Sequence, residues 1–214
     1  FDDENTYLLF VTKQGIVKRT SVLEFESIRQ NGKKAITMRD DDELIGVKLT
    51  NGEAIVMISA TNGKMVKFKE SDVRVMGRSA TGVIGINFKL EDDFVLTSTI
   101  ITDKDEIVTV SELGIGKRAS ASEYSASKNR GGKGFLFYKA NERTGNVAAC
   151  IAINNNEDLL ITTAKGLVIR IASSNVSLLS KSAMGTKLIN IDKDDTVVSV
   201  AKIVPNKEEV GDDV

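Results

Sequence analysis

The chain has 214 residues, with 29 Lys+Arg against 30 Asp+Glu, a formal net charge of −1, no His and a single Cys. Without His there is no Ser-His-Asp triad, no Cys-His pair and no HExxH zinc site, and one Cys makes neither an intramolecular disulfide nor a multi-Cys zinc site. A hydrophobic fraction of 41% supports a buried core, and no apolar run or basic-then-apolar leader marks a membrane span or signal peptide, so the expectation is a soluble cytoplasmic chain, excised from something longer because it begins at Phe1.

Short apolar runs alternate with turn residues along the whole sequence, and two glycine series mark their period. Gly15, Gly63, Gly114 and Gly166 follow one another at intervals of 48, 51 and 52 residues. Each is followed four positions later by a cation: Arg19, Lys67, Arg118 and Arg170. The second series, Gly32, Gly82, Gly134 and Gly185, runs in step at intervals of 50, 52 and 51 and precedes apolar segments such as Ala35-Ile36 and Val83-Ile84. Acidic turns follow at Asp40–Glu43, Glu91–Asp93 and Asp192–Asp195, with Asn141–Gly145 in the third repeat. Each unit then closes on another apolar run.

Two landmarks sharing one period predict four repeats, at about 1–50, 51–100, 101–153 and 154–204. Each repeat holds four short runs rich in Val, Ile, Thr and Phe, punctuated by Gly, Asn and Asp. That pattern predicts an all-β array of four-stranded, propeller-type blades making one domain over 1–204, with no long helix. A hairpin is expected at each glycine of the first series. Residues 205–214 read as an acidic, disordered tail. Cys150, in an apolar run, and Tyr7, Tyr124 and Tyr138 read as packing residues.

Net charge conceals a segregation. Cations concentrate on the second strand of each repeat and the connector after it: Lys18, Arg19, Lys33 and Lys34, then Lys67, Lys69, Arg74 and Arg78, then Lys117, Arg118, Lys128, Arg130 and Lys133, then Arg170. A cation recurring with the blade period predicts a stripe along one edge that can follow a phosphate backbone. The bland alternative is that these residues only keep strand ends soluble. Strand alternation does not decide which face Arg19 occupies, since Val17 lies on the same side. The segment Lys128-Asn129-Arg130-Gly131-Gly132-Lys133-Gly134 reads either as an anion contact, with backbone N–H groups opened by glycine, or as a glycine-rich turn. The Asp40–Glu43 cluster could hold a divalent metal in an enzyme, but its recurrence in three repeats makes it a turn first. No catalytic or metal-ligating residue is assigned. A propeller used as a protein-interaction module is the other reading.

Taken together, Gly15-Ile16-Val17-Lys18-Arg19-Thr20, Asp42-Glu43-Leu44-Ile45-Gly46-Val47, the stretch from Lys69 to Arg78, Gly82-Val83-Ile84-Gly85-Ile86, Gly116-Lys117-Arg118 and Glu142-Arg143-Thr144-Gly145-Asn146-Val147 resemble the C-terminal domain of the A subunit of bacterial DNA gyrase, with the equivalent domain of topoisomerase IV the nearest relative. The resemblance covers the whole chain. It implies a β-pinwheel whose blades exchange a strand, and duplex DNA wrapped on a basic rim so that the parent enzyme introduces negative supercoils. It implies as partners double-stranded DNA, the N-terminal breakage-reunion domain of the same polypeptide and the gyrase B subunit in an A2B2 complex, in a nucleoid-associated setting. The catalytic tyrosine, ATP and Mg2+ would belong to the parent enzyme and not to this chain. The family's box, Gln-x-Arg-Gly-Gly-Lys/Arg-Gly, is matched by Lys128 to Gly134 except that Lys128 stands for Gln. Because that box lies in the first of six family blades, motif alignment sets the four repeats here against the last four.

Overall fold

A computed structural model describes residues 5–28, 30–88, 92–125, 130–154 and 157–203. Lys128 and the tail from 205 onward lie outside these residues. The chain is all-β. Each repeat begins with a hairpin: β1 (Tyr7–Thr12) and β2 (Ile16–Ser21), β4 (Ile55–Ala60) and β5 (Lys64–Lys69), β8 (Glu106–Ser111) and β9 (Ile115–Ser120), β12 (Asp158–Thr163) and β13 (Val168–Ala172). A 3₁₀ turn follows each hairpin, at Val22–Phe25, Glu70–Asp72, Ala121–Glu123 and Ser173–Asn175. A connector then leads to a two-residue strand, β6 (Val83–Ile84), β10 (Phe135–Leu136) or β14 (Thr186–Lys187), and a long strand closes the repeat: β3 (Leu44–Thr50), β7 (Val95–Ile101), β11 (Val147–Ile153) and β15 (Val197–Ile203). Among the described residues no helix is long and apolar enough to cross a membrane.

The two-residue strands do not pair within their own repeat. The sheets run β3-β1-β2-β6, β10-β5-β4-β7, β11-β8-β9-β14 and β13-β12-β15. The short strand of each repeat is therefore a guest in the sheet of the repeat before it. This is the strand exchange that the family resemblance implies, and it makes each repeat depend on its neighbour for a complete edge. The fourth sheet has three strands among the described residues, and Ala35-Ile36, the counterpart of the guests, forms no strand.

The chain divides into two compact units, one made of Phe1–Thr102 with Tyr124–Phe137, the other of Asp103–Glu123 with Tyr138–Val214. In the first unit β3 packs against β7, and Val17, Val56, Ile58, Val66, Phe68 and Ile86 form a buried core. In the second β11 packs against β15 over Val108, Val110, Leu159, Ile161, Val176 and Val197. Each fully buried side chain of this size contributes about 1.5–3 kcal/mol. Cys150, Tyr124 and Tyr138 are buried, as the sequence predicts.

The hairpin glycines take the left-handed conformation the sequence requires of them, φ +84° at Gly15 and +71° at Gly63. The acidic turns brace these hairpins. Asp42 Oδ1 accepts from the amide of Gln14 (2.8 Å), Asp93 Oδ2 accepts from the side-chain amide of Asn62 (2.8 Å), and Asp195 Oδ1 accepts from the amides of Lys165 (3.0 Å) and Thr196 (2.8 Å). The Thr163 hydroxyl and those two amides hold the Asp195 carboxyl below the usual carboxylate range. The recurring carboxylate is thus a clamp on its own repeat's hairpin.

Candidate nucleic-acid interface

The sequence places all its candidate cations on one basic edge; the structure divides them. Lys18, Arg19, Lys67 and Lys117 are buried. The strands β2, β5 and β9 are covered on both faces, so cations at adjacent positions are enclosed alike. The Lys18 ammonium donates to the carbonyls of Ala35 and Arg78 and lies 5.3 Å from the Phe10 ring centre. Lys117 occupies the matching position in the third repeat and donates to the carbonyls of Ser180 (3.5 Å), Lys181 and Ala183 (2.7 Å). Arg19 reaches the buried Glu70 carboxylate at 3.4 Å and stacks 4.7 Å from the Tyr7 ring centre. Enclosed groups of this kind present no charge to a phosphate.

Burial lowers the pKa of both lysines. For Lys18, desolvation first and the neighbouring Arg78 second bring it from 10.5 to about 8, against a small opposing pull from Glu24. For Lys117 desolvation is opposed by Cys150 and Glu123. The sign of the linkage follows. Between about 8 and 10.5 the unfolded chain holds a proton that folded Lys18 has released, so the Lys18 contribution to stability rises with pH across that window. Denaturant titrations of the unaltered chain and Lys18→Met at several pH values should diverge there in favour of the unaltered chain; parallel curves would refute the assignment.

A second group of cations ties repeats together. Arg78 sits 4.0 Å from Glu24 and donates to the Lys34 carbonyl at 3.2 Å. Arg130 Nε donates to the Asp72 carbonyl at 2.9 Å and a terminal nitrogen donates to the Ile84 carbonyl at 3.0 Å. The Lys181 amide donates to Glu123 Oε2 and its ammonium to the Glu123 carbonyl, both at 2.9 Å. The same pair of positions meets in three successive repeats, by different atoms: the connector's cationic side chain reaches the acidic residue of the preceding repeat's 3₁₀ turn through the carboxylate at Glu24 and through the backbone carbonyl at Asp72 and Glu123. Arg118 is half-buried, bonded to Glu106 (2.6 Å) and to the Val176 carbonyl (2.7 Å). Arg170 is exposed and paired with Asp158 at 2.7 Å.

The described part of the glycine-basic segment, 130–134, is a seam in the first unit. Gly131 donates to the Gly85 carbonyl (2.7 Å), the Asn87 amide donates to the Gly132 carbonyl (2.9 Å), and Gly134 lies directly on the backbone of Met65. The contacts of Arg130, Gly131 and Gly134 thus give this segment a structural part in the first unit. Lys133 is exposed.

A third group remains. Lys34, Lys69, Arg74 and Lys133 are exposed, Lys33 is half-exposed, and their side chains carry no hydrogen bond or ion pair among the described residues. All belong to the first unit. Lys187 in the second unit is similarly exposed, on the guest strand. Arg39, Lys139 and Arg143 are exposed cations that the period did not single out; Arg39 borders its own repeat's acidic turn, and Lys139 and Arg143 lie beside and within the Asn141–Gly145 turn.

Comparison with known proteins is consistent across sequence and structure. The model of the family described as DNA gyrase C-terminal domain, beta-propeller, matches residues 6–51, 54–101, 105–154 and 157–203. The A subunit of DNA gyrase from Staphylococcus aureus (strain MRSA252) is 39% identical over 99% of this chain, and the chain spans 24% of that relative's length. A solved DNA gyrase A C-terminal domain superposes with a TM-score of 0.80 at 28% identity, covering 94% of this chain and 67% of that one. The C-terminal domain of DNA topoisomerase IV shares the fold, with a TM-score of 0.87 at 24% identity over 95% of this chain and 64% of that one. The four repeats, the exchanged strands and these matches agree: the chain belongs to the DNA gyrase C-terminal domain family of β-propeller type.

Proposed function

We propose that this chain is a non-catalytic module that binds duplex DNA through exposed cations and bends it, within a gyrase A polypeptide that works with its own breakage-reunion domain and with the B subunit in the bacterial cytoplasm. The observation that carries the reading is the set of exposed or half-exposed cations without side-chain partners among the described residues, Lys33, Lys34, Lys69, Arg74 and Lys133, on connector and strand-end positions of neighbouring repeats. Such groups neutralise phosphates without reading bases. Bending 20–30 bp costs on the order of 1–6 kcal/mol, so several contacts must act together. In the parent enzyme, bent DNA would be delivered for cleavage and passage, with ATP and Mg2+ used outside this chain.

Fluorescence anisotropy with a random-sequence duplex over a salt series tests this. The logarithm of the affinity should fall linearly with that of salt, and replacing Lys34, Arg74 and Lys133 with alanine should flatten the slope by about 0.9 per lost phosphate contact while thermal unfolding stays unchanged. Salt-independent binding, or an unchanged slope in the triple variant, would refute it. The same series with Arg130→Ala should show lost stability and an almost unchanged slope. A protein-docking role is favoured by a separate feature, a cleft of about 520 Å³ in the first unit lined by Leu8, Val22, Leu23, Phe25, Ile28 and Leu49. Apolar docking there would be insensitive to salt.

A further inference from the structure

Lys18 and Lys117 stand at matching positions of the first and third repeats, 99 residues apart, as do their hairpin glycines Gly15 and Gly114. Their ammonium groups are buried, yet among the described residues neither has a carboxylate at contact distance; both are spent on backbone carbonyls of connectors. The carbonyls correspond as well. Lys18 holds that of Arg78 and Lys117 that of Lys181, and the side chains of Arg78 and Lys181 in turn reach Glu24 and Glu123 in the preceding repeat. In the first unit Lys18 also holds Ala35, next to Lys33 and Lys34, and the two connectors run side by side there: the Thr37 amide donates to the Ala80 carbonyl (3.3 Å) and its hydroxyl to the Ser79 carbonyl (2.6 Å). Burying an ammonium is costly, and an apolar residue at these positions would fill the strand without that cost. The second and fourth repeats do place Val66 and Ile169 there.

We propose that Lys18 and Lys117 are positioning residues for DNA binding: the buried Lys18 ammonium pins two successive basic connectors to the sheet beneath, the Lys117 ammonium pins the one that carries Lys181 and leads to Lys187, and each so fixes where the exposed cations of those connectors stand. The inference rests on the DNA-binding reading. It assigns the two most enclosed lysines of the predicted stripe an indirect role, setting where the connectors' phosphate contacts fall.

The test is a pair of cycles on the unaltered chain, Lys18→Met and the same change in a Lys33→Ala/Lys34→Ala/Arg74→Ala background. Lys18→Met should weaken binding of a random-sequence duplex about 10-fold at low salt and reduce the salt slope by more than the roughly 0.9 expected for one lost phosphate contact. In the triple-alanine background it should cost no further affinity, although its effect on stability persists. A purely structural lysine would lower stability equally in both backgrounds and leave duplex affinity of the folded chain unchanged, which would overturn the proposal. If Lys18→Met fails to unfold cooperatively, Lys117→Met in the other unit carries the same comparison: loss of affinity with a retained fold supports the proposal, and unchanged affinity overturns it. Failure of the unaltered chain to bind duplex overturns the DNA-binding reading and this inference with it; normal binding by both lysine variants overturns the inference alone.

Discussion

Replacing Gly134 with alanine is expected to destabilise the chain by about 3 kcal/mol or more, the largest effect of any single methyl group in the glycine-basic segment. Two causes add. Gly134 has φ +72°, where an L side chain costs about 1–2 kcal/mol. A Cβ there would also stand 2.6 Å from the Met65 carbonyl oxygen and 3.0 Å from its carbon, and the obstructing atoms are backbone of the host strand β5, which cannot turn aside. The guest β10 would have to lift, taking with it the bond from the Phe137 amide to the Gly63 carbonyl (2.9 Å) and the stacking of Phe135 on Tyr124. Two neighbours calibrate the result. Gly132→Ala meets nothing nearer than 4.0 Å at a φ outside the left-handed region, so it should stay within about 0.5 kcal/mol. Gly32→Ala, at φ +74° in open space, should lose only the conformational term of about 1–2 kcal/mol. Thermal melts of the three variants give the ranking, and a Gly134→Ala protein melting like Gly132→Ala would show that β10 does not depend on this approach.

The same glycine shows what could be read beforehand. The period, the hairpins and the left-handed turn at Gly15 were legible because they depend on local backbone chemistry. The exchange of β6, β10 and β14 was not legible from periodicity, since a strand carries the same apolar signature in either sheet; it entered through the family resemblance. The basic edge was legible as a count and not as a geometry. Alternation separates inside from outside only when one face of a strand meets water, and β2 and β9 are buried on both faces, so Lys18, Arg19 and Lys117 looked like rim residues. Their partners lie 17 to 66 residues away, beyond any local pattern. One signal was available: an acid in the 3₁₀ turn and a cation in the next connector recur as Glu24 with Arg78, Asp72 with Arg130 and Glu123 with Lys181, at separations of 54, 58 and 58 residues. In-register opposite charges of that kind point to contacts between repeats before they point to a ligand.

Arg19 offers the sharpest separation of structure from binding. Glu70→Leu is expected to destabilise the chain by about 3 kcal/mol, because it leaves the Arg19 guanidinium enclosed without its counter-charge. The pair is well buried, with side-chain exposures of 11% for Arg19 and 0% for Glu70, but its geometry is imperfect: the contact is 3.4 Å, and Arg19 Nε and Glu70 Oε2 have no hydrogen-bond partner among the described residues. A pair that recovers so little of its desolvation cost should be replaceable. The double variant Arg19→Met/Glu70→Leu is therefore expected to regain most of the loss, Met keeping the contact with the Tyr7 ring. Denaturant unfolding of the two single variants and the double variant closes the cycle, and a double variant as unstable as Glu70→Leu would mean that the ion pair itself holds β2 to the second repeat. Duplex binding supplies the other half. An enclosed guanidinium makes no phosphate contact, so the folded double variant should bind DNA with the salt slope of the unaltered chain. A slope reduced by about one contact would return Arg19 to the interface and require its side chain to swing out of the fold when DNA arrives.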